Sequence, residues 1–131
     1  MKILIISFFF APVNKIGAVR VSKTAKYLER FGHDVRILTN SCKNYKDNSL
    51  PVEINKEKIY YTDFKPIDLY LPNNYASFGK IQKLLCRLNI AIKYRNIFYL
   101  LSDEYFAWVP VAIIRAMKLF SVWKPDLIIS S

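Results

Sequence analysis

The sequence predicts an α/β fold built on a parallel sheet, and three features of residues 1–39 carry that expectation. The opening segment KILIISF is a nearly continuous apolar run, the pattern of a strand covered on both faces. Beyond Pro12, a helical pattern starts at Gly17 and places Ala18, Val21, Ala25 and Leu28 on one face. Arg20, Lys23, Lys26 and Arg30 point largely elsewhere. Gly32 then stands where a left-handed helix stop needs glycine, and Asp34–Thr39 returns as a strand. Strand, helix and parallel strand make a βαβ unit with a right-handed crossover. Ligands of open parallel sheets bind beyond the carboxyl ends of the strands, so the loop from Phe9 to Gly17 is the first candidate for function.

The later elements follow in order. Residues 40–49 are polar turn formers and predict a loop at the carboxyl edge of the sheet. Val52–Asn55 alternates and Ile59–Thr62 is strand-like, which predicts a third strand, with a hairpin as a variant. Pro66 and Pro72 leave residues 63–77 irregular. From Phe78 to about Leu101 the pattern is helical, with Ile81, Leu84, Leu85, Leu88 and Ile92 on one broad face. Ser102-Asp103-Glu104 interrupts it, and Pro110 suits the start of a second apolar helix across Val109–Trp123. Lys124-Pro-Asp126 introduces Leu127–Ser130, another buried parallel strand. So apolar a strand belongs inside a sheet, and the chain reads as the first part of a larger doubly wound domain.

Composition narrows the partners. The 131 residues are 53% hydrophobic and 15% aromatic, enough for one folded domain with a core. Twenty Lys and Arg against ten Asp and Glu give +10, which favours an anionic partner. Lys80, Lys83, Arg87, Lys93 and Arg95 are unbroken by any acid. Their helix suits an anionic membrane surface, with Tyr94, Phe98 and Tyr99 at the interface. The plainer alternative is a core-packing helix with a solvated basic face. No nucleic-acid-binding motif is present. Cys42 and Cys86 form neither a zinc pattern nor a disulfide framework and read as reduced thiols. Lys2 and the apolar run after it imitate a short signal peptide. The same run is needed as the first sheet partner, so the strand reading is preferred. No apolar stretch approaches the roughly 20 residues of a membrane-spanning helix.

Three residues invite a chemical reading. Gly17 either lets an anion or sugar approach helix N–H groups or simply permits a tight turn, and the residues leave both open. The chain's glycines are Gly17, Gly32 and Gly79, so no G-x-G-x-x-G exists, and Thr39-Asn40 lacks the acid that holds a ribose. Nicotinamide and flavin cofactors are therefore disfavoured. His33 lies at the amino end of the sheet and reads as a capping or packing residue. Asp103 is either a helix-terminus acid, the preferred reading, or a residue facing the cleft.

MKILIISFFFAPVNKIGAVRVSKTAKYLERFGHDVRILT resembles the start of family-4-type glycosyltransferases of the GT-B fold. The shared features are a strand, a Pro-containing glycine loop, an Arg-bearing helix ending before Gly-His-Asp, and a strand closing in Leu-Thr. Residues 103–110 (DEYFAWVP) and 124–131 (KPDLIISS) are similar to later landmarks of the same family, in the branch that builds bacterial surface polysaccharides. The resemblance implies a Rossmann-like parallel sheet with flanking helices, an incomplete N-terminal, acceptor-side half of a GT-B fold. It implies a full enzyme that transfers a sugar from a nucleotide-sugar to a lipid-linked or saccharide acceptor, retaining and without a metal or other cofactor. It places substrate contacts at Gly17, Arg20 and Asp103, and assigns donor binding and catalysis to a second domain beyond residue 131. The location it implies is cytoplasmic, peripheral to the inner face of the plasma membrane. Family members often carry paired glycines in the first loop, whereas Ile16 precedes Gly17 here. The rival expectation is a non-catalytic basic α/β module that binds an anionic membrane or a partner chain.

Overall fold

Four strands pair in the order β3-β2-β1-β4, all parallel: β1 is Lys2–Ser7, β2 Asp34–Asn40, β3 Ile59–Thr62 and β4 Leu127–Ser130. The computed structural model describes residues 1–131 apart from Cys42, Asn44, 67–69 and 101–104, and apart from the side chain of Tyr99. It divides into two compact units, Met1–Phe64 with Val111–Ser131, and Lys65–Pro110.

The first unit holds the sheet. Ile5 pairs with Ile37 of β2 and Ile129 of β4, so the apolar positions of the strands line up in rows across the sheet. Helix α1, Ile16–Arg30, buries Ala18, Val21, Ser22 and Ala25, the face its periodicity predicts. Val21 and Ala25 join Ile3, Ile5, Val35, Ile37 and Ile59 in one core. The helix stops as the Gly32 position predicts. Gly32 has φ +83°, its N–H donates to the Glu29 carbonyl, and the His33 N–H donates to the Leu28 carbonyl. This pair of bonds is a Schellman cap, to which His33 contributes through its backbone N–H. On the opposite sheet face Leu4 and Leu38 are fully buried. Helix α3, Val109–Phe120, buries Ala112, Ala116 and Leu119, and Trp123 follows it. The Trp123 Nε1–H donates to Asp34 Oδ2 at 3.0 Å, and the Arg36 guanidinium lies 4.4 Å from its ring centre.

Several expectations are corrected, among them the burial of β4, which is an edge strand with Leu127 and Ile128 exposed. Val52–Asn55 is not a strand and makes no hairpin, and β3 runs parallel to β2. Leu50, Val52 and Ile54 instead pack on the α1-side core. Between them Glu53 bonds Lys23 Nζ at 2.8 Å and also Lys26 Nζ. The alternation reports a half-buried extended segment, but its polar side meets a helix rather than solvent. Asn55 Oδ1 then accepts from the Glu57 N–H and starts the 3₁₀ turn Lys56–Lys58 that leads into β3.

The predicted long helix is also shorter. In the second unit helix α2 covers Lys80–Tyr94 and ends where Arg95 takes a left-handed conformation, φ 52°. Asn96 Oδ1 accepts from the Phe98 N–H and opens a separate 3₁₀ turn, Ile97–Leu100. At its start, Gln82 Oε1 accepts from the Gly79 N–H. The core-packing expectation for its apolar face fails as well: Ile81, Leu84, Leu85, Leu88 and Ile92 are all exposed. Ile90 and Ala91 are the buried residues of α2. No helix among the described residues is long and apolar enough to cross a membrane.

Candidate functional site

In a parallel sheet of order β3-β2-β1-β4 the winding reverses between β1 and β4, the place where open parallel sheets generally form a ligand crevice at the carboxyl ends of their strands. The chain leaving β1 is firmly held. Phe8, Phe10, Ala11 and Val13 are buried. The Asn40 N–H and the Thr39 hydroxyl both donate to the Phe8 carbonyl, at 3.3 and 3.2 Å. The Ala11 N–H donates to Ser22 Oγ of α1. The loop after β2 laces over this segment: Asn14 Nδ2 donates to Asp47 Oδ2 at 3.1 Å and to Ser49 Oγ at 3.0 Å, while the Leu50 N–H donates to the Pro12 carbonyl. Hydrogen bonds from the Ser49 hydroxyl and N–H, then from Asn14, hold the Asp47 carboxyl below its ordinary range, against a smaller upward push from burial.

This anchoring presents the first turn of α1 at the crevice. The turn begins at Lys15, whose Nζ sits 4.2 Å from the Phe9 ring centre and 4.6 Å from that of Tyr45. Lys15 supplies no side-chain cap, and the first turn has no acid. Ile16 is 92% exposed and Gly17 half-buried, while Ala18 is buried. Gly17 is the second helical residue, with an ordinary φ and nothing within 4 Å of where a Cβ would stand. Neither backbone conformation nor crowding requires glycine here, so the tight-turn reading loses its physical basis.

One turn on, Arg20 Nη2 donates to Ser131 Oγ at 3.0 Å, and the Ser131 N–H donates to the Ile6 carbonyl. Arg20 therefore bridges α1 and the carboxyl end of β4 across the crevice. Gly17 and Arg20 lie one turn apart on α1, whereas Asp103 lies outside the described residues. Among the described residues no cluster of three His, Cys, Asp or Glu side chains is arranged to hold a metal.

Sequence reasoning missed a neighbouring cavity. It occupies about 460 Å³ and is lined by Pro12, Ser41, Lys43, Asn48, Tyr61, Thr62 and Asp63, at the carboxyl ends of β2 and β3. The size is that of a small-molecule site, and its lining offers an ammonium, a carboxylate, an amide, hydroxyls and an aromatic ring. Asn40 shapes the wall. Its buried amide donates to the Phe64 carbonyl at 2.6 Å and accepts from the Phe64 N–H at 2.8 Å, which fixes the chain leaving β3. The available signal was the polar run after β2 facing the polar end of β3, but nothing local shows that they converge. A scan of protein-family models, a search of curated proteins and a search of solved structures each return no match to this chain.

Proposed function

We propose that the chain is the acceptor-side N-terminal domain of a family-4-type glycosyltransferase of GT-B architecture. The complete enzyme would move a sugar from a nucleotide-sugar to a lipid-linked or saccharide acceptor in surface-polysaccharide assembly, at the cytoplasmic face of the membrane. The observation that carries the reading is the uncapped first turn of α1 at the β1/β4 crevice, where Gly17 leaves open space and Arg20 adds a cation. Helix N–H groups and the helix dipole favour an anionic or hydroxyl oxygen at that place. The cavity beside it adds the mixture of ring, amide and carboxylate that suits a polyhydroxylated ligand. Within this reading Gly17 admits the ligand to the backbone and Arg20 supplies charge. The donor nucleotide is held by a second domain, and neither metal nor further cofactor takes part.

The test joins the chain to a donor-binding GT-B domain and measures sugar transfer against melting temperature. Gly17→Val obstructs approach to the helix N–H groups and lowers turnover by roughly ten-fold or more while leaving the melting temperature near that of the parent. Arg20→Ala removes charge but keeps the backbone path, and its loss is smaller. The unjoined chain gives no transfer, since transfer depends on positioning both substrates. Full activity in Gly17→Val, or turnover by the unjoined chain, overturns the proposal.

A further inference from the structure

One cleft of the first unit is lined by cations drawn from both the sheet and a helix. It occupies about 190 Å³ between Arg36, Tyr60, Arg115, Lys118, Leu119 and Val122. Arg36 and Tyr60 stand in the amino halves of β2 and β3, whereas Gly17 lies beyond the carboxyl end of β1. Arg36 is held in place by its neighbours: its Nη1–H donates to Tyr60 Oη at 2.8 Å, and its guanidinium lies 4.4 Å from the Trp123 ring centre. The Asp34 carboxylate, whose charge Arg36 feels, is already bonded by the Trp123 Nε1–H at 3.0 Å and approached by Lys58 Nζ at 3.5 Å. Arg115 and Lys118 are three residues apart on α3, a helix without an acid. Among the described residues neither of their side chains has an ion-pair partner. Like charges at neighbouring helix positions repel, so the arrangement carries a cost that an anion would remove.

We propose that Arg36, Tyr60, Arg115 and Lys118 bind the phosphate group of a small soluble phosphomonoester. Arg36 keeps its remaining N–H donors, and Tyr60, which accepts from Arg36, keeps its own proton to donate. A guanidinium already fixed by a hydrogen bond and an aromatic face loses little further freedom on binding. Donors that converge from a sheet and a helix suit the tetrahedral oxygens of a phosphate dianion better than the flat fork of a carboxylate. The volume fits one such group rather than a polypeptide segment. An adjoining cleft of about 350 Å³ shares Arg115 and Lys118 and adds Thr62, Asp63, Val111 and Ile114. It gives the rest of a small ester both polar and apolar neighbours. The site stands apart from the glycosyltransferase reading, because its test needs neither nucleotide-sugar nor second domain.

The experiment follows the indole N–H signals of the nitrogen-15-labelled 131-residue chain by nuclear magnetic resonance. Glycerol 3-phosphate, inorganic phosphate and sodium chloride are added in parallel at matched ionic strength and about pH 7.5, where the phosphates are mainly dianions. Trp108, in the other unit, is the internal reference. Glycerol 3-phosphate is expected to shift the Trp123 signal saturably, with a midpoint of about 1 mM or below. Inorganic phosphate should follow within about ten-fold, and chloride should leave the signal in place. Arg115→Gln/Lys118→Gln, both changes at exposed positions, weakens binding by roughly ten-fold or more with melting temperature unchanged. Lys80→Gln/Lys93→Gln removes the same charge from α2 and leaves the midpoint within about two-fold. Four results overturn the proposal: no saturation by about 10 mM, a shift that chloride reproduces, parental affinity in the folded α3 variant, or an equal loss in the α2 variant. Binding of inorganic phosphate with exclusion of the ester overturns it as well.

Discussion

Two glycines of one helix should respond in opposite directions to the same substitution. Gly32 sits at φ +83°, where an added Cβ strains the backbone by about 1–2 kcal/mol. Lost freedom in the unfolded chain returns about 0.5–1 kcal/mol of that, so Gly32→Ala is expected to destabilise by about 1 kcal/mol. Gly17 has an ordinary helical conformation and open space around the new methyl. There alanine gains helix propensity and loses only unfolded-state freedom, so Gly17→Ala is expected to stabilise by about 0.5 kcal/mol. The separation of about 1.5 kcal/mol corresponds to a gap of roughly 1 M between urea midpoints for a domain of this size. Urea titration followed by far-ultraviolet circular dichroism measures it directly. A Gly17→Ala variant less stable than the parent would refute the reasoning, because it would mean that the fold itself demands glycine there. A neutral Gly32→Ala would refute the Schellman account of the helix end.

Three further outcomes are expected. Asn40→Ala strands both the N–H and the carbonyl of Phe64, and urea unfolding should register a loss of about 3 kcal/mol. Lys23 and then Lys26 bond the Glu53 carboxylate and, against burial, hold it down to about 2 from an ordinary 4.5. Its contribution is complete above pH 4.5 and lost as pH falls towards about 2, so Glu53→Gln should flatten the acid limb of the stability curve over that window. Burial pushes the Asp34 carboxyl up, but the Trp123 indole N–H and Lys58, by charge and hydrogen bond, outweigh it and leave the group below its ordinary 3.8. This contribution too is present above the ordinary value and lost in acid. Trp123→Phe should move the Asp34 carbon-13 carboxyl titration to higher pH, and an unmoved curve would remove the indole from the account.

The legible parts of the fold were those encoded by neighbours in the chain. The 3.6-residue spacing of Ala18, Val21 and Ala25, the Gly32 stop and the apolar β1 and β2 runs each act within one element. The same local code was read half correctly at Val52 and Ile54, because alternation fixes an extended, half-buried segment but not which element it lies against. At Asn96 a side-chain turn ended a helix whose apolar period ran on. The face of α2 was legible as an apolar stripe, but spacing specifies what wants burial and not what covers it. At the site, position at the carboxyl edge pointed to the Phe9–Gly17 loop, and Arg20 entered through the family resemblance. Asn40's clamp on Phe64, and the meeting of Ser41, Lys43 and Asn48 with Asp63, depend on strands that pair across the sheet.

The helix-free crossover between β2 and β3 sets the order in which the sheet opens. Parallel neighbours are usually joined through a packed helix, yet the described residues here contribute an extended cover and one 3₁₀ turn. That cover is tied to α1 through the ion pairs Lys23–Glu53 and Lys58–Glu29, and among the described residues β3 is an edge strand paired with β2. Hydrogen exchange should therefore release the amides of β3 in a sub-global step, well before those of β1. The wall of the cavity formed by Tyr61, Thr62 and Asp63 belongs to this weaker cooperative block, while the crevice beside Gly17 belongs to the strong one. A ligand that touched both would join two regions of unequal protection and slow exchange in the weaker of them.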